Sequence, residues 1–340
     1  MKRKLIIHIG MGKTGSTSIQ RTLNRGHNVL KNAGVHYLGL MLENAPNSKF
    51  YPWQVDSGWA TYLQTENGTA NEQLASALME IDQQLPADIH TLVWSNESLF
   101  DSPNRVRGAI EAVIDRFEIE IVGYIRRPDT WITSAYLQWG IKHKTYDGPL
   151  KPFRNWAKTM KYVVTPKIEI WEALSGSVKF FNFDAVEDIS QHFIAGYLPQ
   201  VVGEMVPLRA NETPSSVAMA MFAYYNSLSE GQVLPNELEP LLNLSGVLSK
   251  QQPVRAYNNL LPDEKDIGSY LEENQSEITQ VNAFFDSHGE PTFDLSVPKV
   301  KDHATNQHEI NRALLQMIKH LSLEVNALKK KLAGVRADND

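Results

Sequence analysis

Apolar residues in the first two thirds of the chain fall into short continuous runs separated by segments with helical spacing. Leu5-Ile6-Ile7, Thr91 to Ser95, Glu120 to Ile125 and Val178 to Phe183 are such runs. High apolarity with weak alternation predicts strands covered on both faces. Between them, Ser18 to Asn32 puts Ile19, Leu23 and Leu30 on roughly one face. Residues 70–85 and 104–116, Thr130 to Lys142, Tyr162 to Leu174 with a break at Pro166, and the segment from Asp184 through Phe193 also read as helices. Alternation of strand and helix from Leu5 to about Phe193 predicts an α/β fold, a doubly wound parallel sheet flanked by helices.

The pattern then changes. Beyond Leu208 it turns helical, with a buried apolar segment from Val217 to Tyr225, and residues 231–262 look irregular. Residues 40–70 read as a loop rich in Asn, Pro and aromatics, among them Phe50, Tyr51, Trp53 and Trp59. Packing in a buried loop is the default for these rings, and stacking on a sugar is the alternative. At the end, Ile310, Leu314, Met317, Leu321, Val325, Leu328, Leu332 and Val335 recur at three- and four-residue steps, with Lys329-Lys330-Lys331 near the end of the stripe. One apolar stripe on a long helix predicts a coiled coil that dimerises the chain or folds back on its body. The expected division is a domain over 1–302, with an α/β core to about 195 and a helical remainder from about 208, and a C-terminal helix over 303–340.

Candidate chemistry concentrates where the first strand meets the first helix. The segment His8-Ile9-Gly10-Met11-Gly12-Lys13-Thr14-Gly15-Ser16-Thr17-Ser18 is a glycine-rich turn carrying a lysine and four hydroxyls. Glycines let backbone N–H groups turn inward, the helix N-terminus adds partial positive charge, and the lysine adds a full one, so the segment is an anion cradle of P-loop type. It is not a Walker A loop, because the glycine required five positions before Gly12 is Ile7. It satisfies the bare Gly-x-Gly-x-x-Gly spacing of a dinucleotide site, but no acidic residue follows at the distance a ribose needs, where Val35-His36-Tyr37 stands.

Gly12-Lys13-Thr14-Gly15-Ser16-Thr17 resembles the 5′-phosphosulfate loop of sulfotransferases, with Gly12 where that family has proline. A second segment carries the same resemblance. The strand-like run to Ile125 ends in Arg126-Arg127-Pro128-Asp129, and Ser134 lies eight positions after Arg126, the family's Arg-x7-Ser spacing. The likeness implies that Arg126 and Ser134 hold the 3′-phosphate of 3′-phosphoadenylyl sulfate (PAPS), while Gly12 to Ser18 hold its 5′-phosphosulfate. Guanidinium and hydroxyl suit such a phosphate. Within the same resemblance, which is to the bacterial, carbohydrate-type members, Ser95-Asn96-Glu97 corresponds to the element that supplies a catalytic glutamate.

Glu97 is therefore the candidate base and Lys13 the candidate partner of the leaving oxygen, with capping of a helix dipole as the plain alternative for Glu97. Among the histidines, His8 is the positional rival as base, and a hydrogen-bonded core residue is its commoner role. His90 and His143 read as surface residues. Lys250 and Arg255 are further cations that solvent alone would explain.

Composition narrows the partners. The chain has 340 residues, 42% of them hydrophobic, and a net charge of −6. No basic tract supports nucleic-acid binding, no apolar run is long enough for a membrane span, and the apolar stretch after Met1-Lys2-Arg3-Lys4 is too short for a signal peptide. The absence of cysteine removes disulfides and thiolate metal sites and suits a reducing cytoplasm. The expected partners are PAPS, no metal, and a hydroxyl acceptor of saccharide type. Two other readings stay open: a nucleotide-dependent kinase or NTPase, which needs an acidic metal ligand ending a strand, and a non-catalytic nucleotide-binding scaffold assembled by the tail.

Overall fold

The structure, a computed structural model, describes residues 2–46, 51–174, 177–208, 214–227, 229–234, 238–249, 260–300 and a discontinuous set from 303 to 328. In chain order it runs β1 (Arg3–His8), α1 (Ser16–Arg25), α2 (His27–Asn32), β2 (Val35–Gly39), α3 (Trp59–Gln64), α4 (Asn67–Gln84), β3 (Thr91–Ser95), α5 (Ser98–Asp101), α6 (Pro103–Val113) and β4 (Phe117–Ile125). It continues with α7 (Pro128–Ala135), a π-helix (Tyr136–Lys142), α8 (Phe153–Ala157), α9 (Thr165–Glu172), β5 (Val178–Asn182), α10 (Ile189–Tyr197), α11 (Ser216–Ser227), α12 (Leu238–Leu244), α13 (Glu264–Glu273) and α14 (Gln275–Ser287).

Two compact units interleave along the chain. The first comprises Met1–Pro128, Tyr162–Glu212 and Asn274–Asp294, and it contains the sheet. Its five strands are all parallel, in the order β2-β3-β1-β4-β5. The expected α/β architecture with a parallel sheet is present. Ile6, Val93, Val122 and Tyr124 point into one apolar layer with Ile19 and Leu23 of α1, Leu30 of α2 and Phe193 of α10. In the other helical layer α4 packs on α6, α6 on α9 and α9 on α14. There Phe180 of β5 meets Phe284 of α14 edge-on, and a Cβ on Gly123 would lie 2.5 Å from the Phe180 ring. Because both faces are covered, Leu5, Ile6 and Ile7 are all fully buried, as a continuous apolar run demands.

Local differences from the expected elements have local causes. β2 was not anticipated; it pairs with β3 through Val35↔Thr91 and Tyr37↔Val93. The first helix divides at Gly26, where Met205 Cε takes the space a side chain would fill. Pro166 starts α9 rather than breaking it, since a proline in the first turn forgoes no helical hydrogen bond. The segment 40–70 is not all loop. It contains α3 and the start of α4, whose first N–H groups, those of Gly68 and Thr69, are capped by the Glu66 carboxylate at 2.9 and 2.8 Å. Trp53 is buried and donates its indole N–H to Gln73, and Trp59 stacks on Tyr62, so these rings serve packing. Phe50 lies outside the described residues.

The second unit comprises Asp129–Lys161, Thr213–Glu273 and Leu295–Asp340. The single helix expected over Thr130 to Lys142 is instead α7 followed by the π-helix. The wide turn has an identifiable packing cause: Gly140 has no side chain where the Tyr136 ring passes. That ring packs on Phe153 and Trp156 with centroids 5.4 Å away, and its hydroxyl donates to the Lys151 carbonyl. Asn226 of α11 donates to the carbonyls of Ile141 and Lys142 at the π-helix end. Lys144 is fully buried and donates to the carbonyls of Ser229 and Gly231. The region 231–262 is less irregular than expected, because it contains α12. Lys250 and Arg255 lie outside the described residues.

In the tail, Ile310 and Ala313 are buried while Leu314, Leu321, Val325 and Leu328 are exposed. Leu332, Val335 and Lys329-Lys330-Lys331 lie outside the described residues. Among the described residues, no helix is long and apolar enough to cross a membrane.

His8 closes β1 and is fully buried, its ring edge-on to Tyr124 and Phe193 and its Nδ1 2.7 Å from Ser95 Oγ. Burial lowers its pKa from 6.5 to about 3. The folded chain therefore takes up this proton far less readily than the unfolded chain does. Stability from the neutral ring is full above pH 6.5 and falls as pH drops from 6.5 toward 3. Urea melts at pH 7 and pH 5 should show His8→Gln losing about 2 kcal/mol less than the parent over that interval. Equal losses would mean the ring is already charged when folded.

Candidate active site

The anion-cradle segment grows out of the sheet. Past β1, the Ile9 N–H donates to the Val122 carbonyl at 2.9 Å and that of Met11 to Tyr124 at 3.1 Å, so β4 guides the chain to the loop. Two left-handed residues then shape the turn, Lys13 at φ 74° and Gly15 at φ 75°. The second is a glycine and costs nothing there. The first carries a side chain, so the conformation costs about 1–2 kcal/mol and needs support from its surroundings. The Thr14 N–H and hydroxyl both donate to the Met11 carbonyl, closing the turn. The Ser18 N–H donates to Gly15 at 2.8 Å and starts α1.

The support for Lys13 comes from Arg126, at the end of β4 and 113 residues away in sequence. Its Nη1 donates to the Lys13 carbonyl at 2.8 Å, and its guanidinium lies 5.3 Å over the Phe183 ring. The Arg126 carbonyl accepts from the Tyr162 hydroxyl, and the Arg127 N–H donates to Asp184, each at 2.8 Å. Arg126 is 9% exposed, so it sits at the loop rather than in solvent. A Cβ on Gly15 would press on Ile189 at 3.0 Å, so the next layer leaves no room for a side chain at this turn.

Among the described residues, two buried polar atoms around this loop lack a hydrogen-bond partner. Ser16 is buried, and its Oγ has no hydrogen-bond partner. The same holds for Nε2 of His8. With Thr14 Oγ1 these atoms crowd around Gly10, where a Cβ would lie 2.8 to 3.0 Å from all three. Buried hydroxyls are almost always paired, so an orphan in such a loop calls for an explanation. Gly12, Lys13 and Thr17 are half-buried at the loop surface, and Ser18 is buried.

Glu97 follows the neighbouring strand. The Asn96 N–H donates to the His8 carbonyl at 3.0 Å, which ties the end of β3 to β1. The Asn96 amide bridges from the Leu40 carbonyl to the Ser98 N–H, leaving the half-buried Glu97 at the start of α5. Its Oε2 accepts from Gln20 Nε2 of α1 at 2.7 Å. Near it on β2, Tyr37 has a buried hydroxyl without a partner; burial, then the charges of Glu43 and Glu97, hold that phenol protonated far above its ordinary range.

Within the first unit the structure thus gathers Gly12 to Ser18, Arg126 and, one strand over, Glu97. All sit at the C-terminal edge of a parallel sheet, where such folds bind ligands. β1 also feeds a different layer from its neighbour: α1 packs with α10, while the α6 that follows β3 packs with α4 and α9. Ser134 lies in the second unit, half-buried on α7. His90 is exposed, and half-buried His143 pairs with Gln138.

The sequence reading missed Gln20, Tyr37, Phe183 and Asp184. For Gln20 a signal existed: it is a polar residue one turn after Ser16 on the same helix face. Among the described residues, no group of three His, Cys, Asp or Glu is arranged to hold a metal ion.

No protein-family model and no curated protein matches the chain. Two solved structures of retinol dehydratase are similar at a low level. One is in complex with androsterone and the inactive cofactor PAP, at 11% identity and TM-score 0.25, covering 94% of this chain and 81% of that one. The other is in complex with retinol and PAP, at 14% identity and TM-score 0.24, covering 86% of this chain and 83% of that one. Likeness this slight carries no weight by itself, and the residues must speak for the function.

Proposed function

We propose that the chain is a PAPS-dependent sulfotransferase acting on a hydroxyl acceptor, a carbohydrate or glycoconjugate. The observation that carries this reading is the Lys13–Gly15 turn braced by Arg126, with the Ser16 hydroxyl buried beside it and unpartnered. A lysine and an orphan hydroxyl at one helix N-terminus suit a doubly charged phosphosulfate. PAPS would supply the activated sulfuryl group. Lys13, Ser16, Thr17 and the backbone N–H groups of residues 15–17 hold its 5′ end, and Arg126 its 3′-phosphate, a role in which the resemblance also names Ser134.

Glu97 takes the proton of the acceptor hydroxyl as that oxygen bonds to sulfur. The bond from sulfur to the bridging oxygen breaks, and its electron pair stays on the phosphate oxygen, where Lys13 offsets the charge. His8 is a poor rival base. It is fully buried and takes a proton only near pH 3. The saccharide acceptor rests on the glutamate base alone, because Trp53 is spent in the core. A kinase or NTPase reading has less support, since Asn96, which follows β3 directly, turns its amide to Leu40. The site calls for no bridging metal, and the cysteine-free chain suits the cytoplasm.

Glu97→Gln should lower turnover by ~10²–10⁴-fold while adenosine 3′,5′-bisphosphate binds as before, measured by transfer assay and calorimetry. Full turnover in that variant rejects the base. Lys13→Ala and Arg126→Ala should each weaken nucleotide binding by roughly 10–100-fold, the worth of a charge-assisted hydrogen bond. Unchanged affinity in both rejects the donor site, and loss of activity on chelation favours the kinase reading. Neither transfer nor nucleotide binding would favour the scaffold.

The exposed Leu314, Leu321, Val325 and Leu328 support a homodimer through the tail. Truncation at His303 should halve the mass seen by light scattering, whereas an unchanged mass rejects the tail interface.

A further inference from the structure

The helix that opens the anion loop also holds the candidate base. Ser16 and Gln20 are four residues apart on α1 and share a face. Gln20 is 8% exposed and donates from Nε2 to Glu97 Oε2 at 2.7 Å, with the Ser95 carbonyl 3.4 Å from the same nitrogen. Both neighbours are acceptors, so the NH₂ end of the amide must face them, because the reversed amide would set three oxygens together. Among the described residues, Glu97 Oε1 makes no hydrogen bond. Tyr37 of β2 lies within electrostatic reach of this carboxylate and of Glu43, which is committed to the Leu40 and Met41 N–H groups at 2.9 and 2.7 Å.

We propose that Gln20 is a positioning residue: its amide clamps Oε2 of Glu97 and leaves Oε1 to receive the acceptor proton, so that α1 sets the base and the sulfuryl donor in one frame. The proposal rests on Glu97 being the base. Misplacing a catalytic group by a fraction of an ångström is costly because the gain from orientation is lost.

The test is a double-mutant cycle on full-length protein, with labelled PAPS and whichever glycoside of a hexose and hexosamine set turns over fastest. Gln20→Met keeps the side-chain length and loses the donor. It should lower kcat about 10-fold with KM for PAPS within about twofold of the parent, and it should cost nothing further in a Glu97→Gln background. Gln20→Glu places two carboxylates in contact, and these share a proton, so the acid limb of its kcat profile should move to higher pH. A residue 20 side chain that does not lie against Glu97 in solution would leave that limb in place.

Full kcat in Gln20→Met, an equal cost in both backgrounds, or an unmoved acid limb in Gln20→Glu overturns the clamp while leaving the base intact. Full turnover in Glu97→Gln alone overturns the base and the clamp together. Nucleotide affinity measured on each variant separates a lost clamp from a damaged loop, since a clamp acting on Glu97 leaves that affinity unchanged, and a fall in affinity matching the fall in kcat overturns it.

Discussion

The hydrogen bond from Arg126 to the carbonyl of Lys13 is the constraint on which the candidate site depends. Lys13 is held in a left-handed conformation that an L-residue adopts at a cost, and the loop keeps it because a guanidinium at the end of the adjacent strand fastens its carbonyl. The ring of Phe183 lies beneath that guanidinium, and Asp184 fastens the next residue's N–H. Three strand ends, those of β1, β4 and β5, therefore contribute to one turn. Parallel pairing puts those ends at one edge of the sheet, so the brace follows from register as well as from side-chain chemistry.

Arg126 thereby has a role that does not require a ligand. The resemblance to sulfotransferases assigns it to a phosphate, while the structure has it organising the loop backbone. Both roles draw on the same forked guanidinium, whose planar N–H donors suit carbonyl and phosphate oxygens alike. Glu97 is similarly double. It stands at the start of α5, where a carboxylate suits a helix terminus, and it is also held by a glutamine from another helix.

Much of this was legible in the sequence because it is local. Continuous apolar runs mark β1, β3, β4 and β5, since strands covered on both faces carry little polarity. Gly10, Gly12, Lys13 and Gly15 mark the turn, since few other residue types build one. What was not legible depends on partners distant in the chain. β2 is short, and its Val35-His36-Tyr37-Leu38-Gly39 acquires meaning only beside β3. The widening of the helix at Tyr136 comes from Gly140 together with the tyrosine's packing on Phe153 and Trp156. Gln20 shows in the sequence only its place one turn after Ser16, and its role appears when Glu97, 77 positions on, is set against it. His8 could be read as a base from its position, and only the burial supplied by Tyr124 and Phe193 makes it a neutral core residue.

The interleaving of the two units has a consequence for synthesis. β5 ends at Asn182, but α14, which packs on β5 and α9, begins only at Gln275. A ribosome adding about 5–20 residues per second takes roughly 5–20 s to cover that interval. Phe180 therefore emerges from the ribosome that much earlier than Phe284, the ring it will meet. The nascent sheet therefore carries an uncovered apolar surface for seconds, a time in which chaperone binding competes with aggregation.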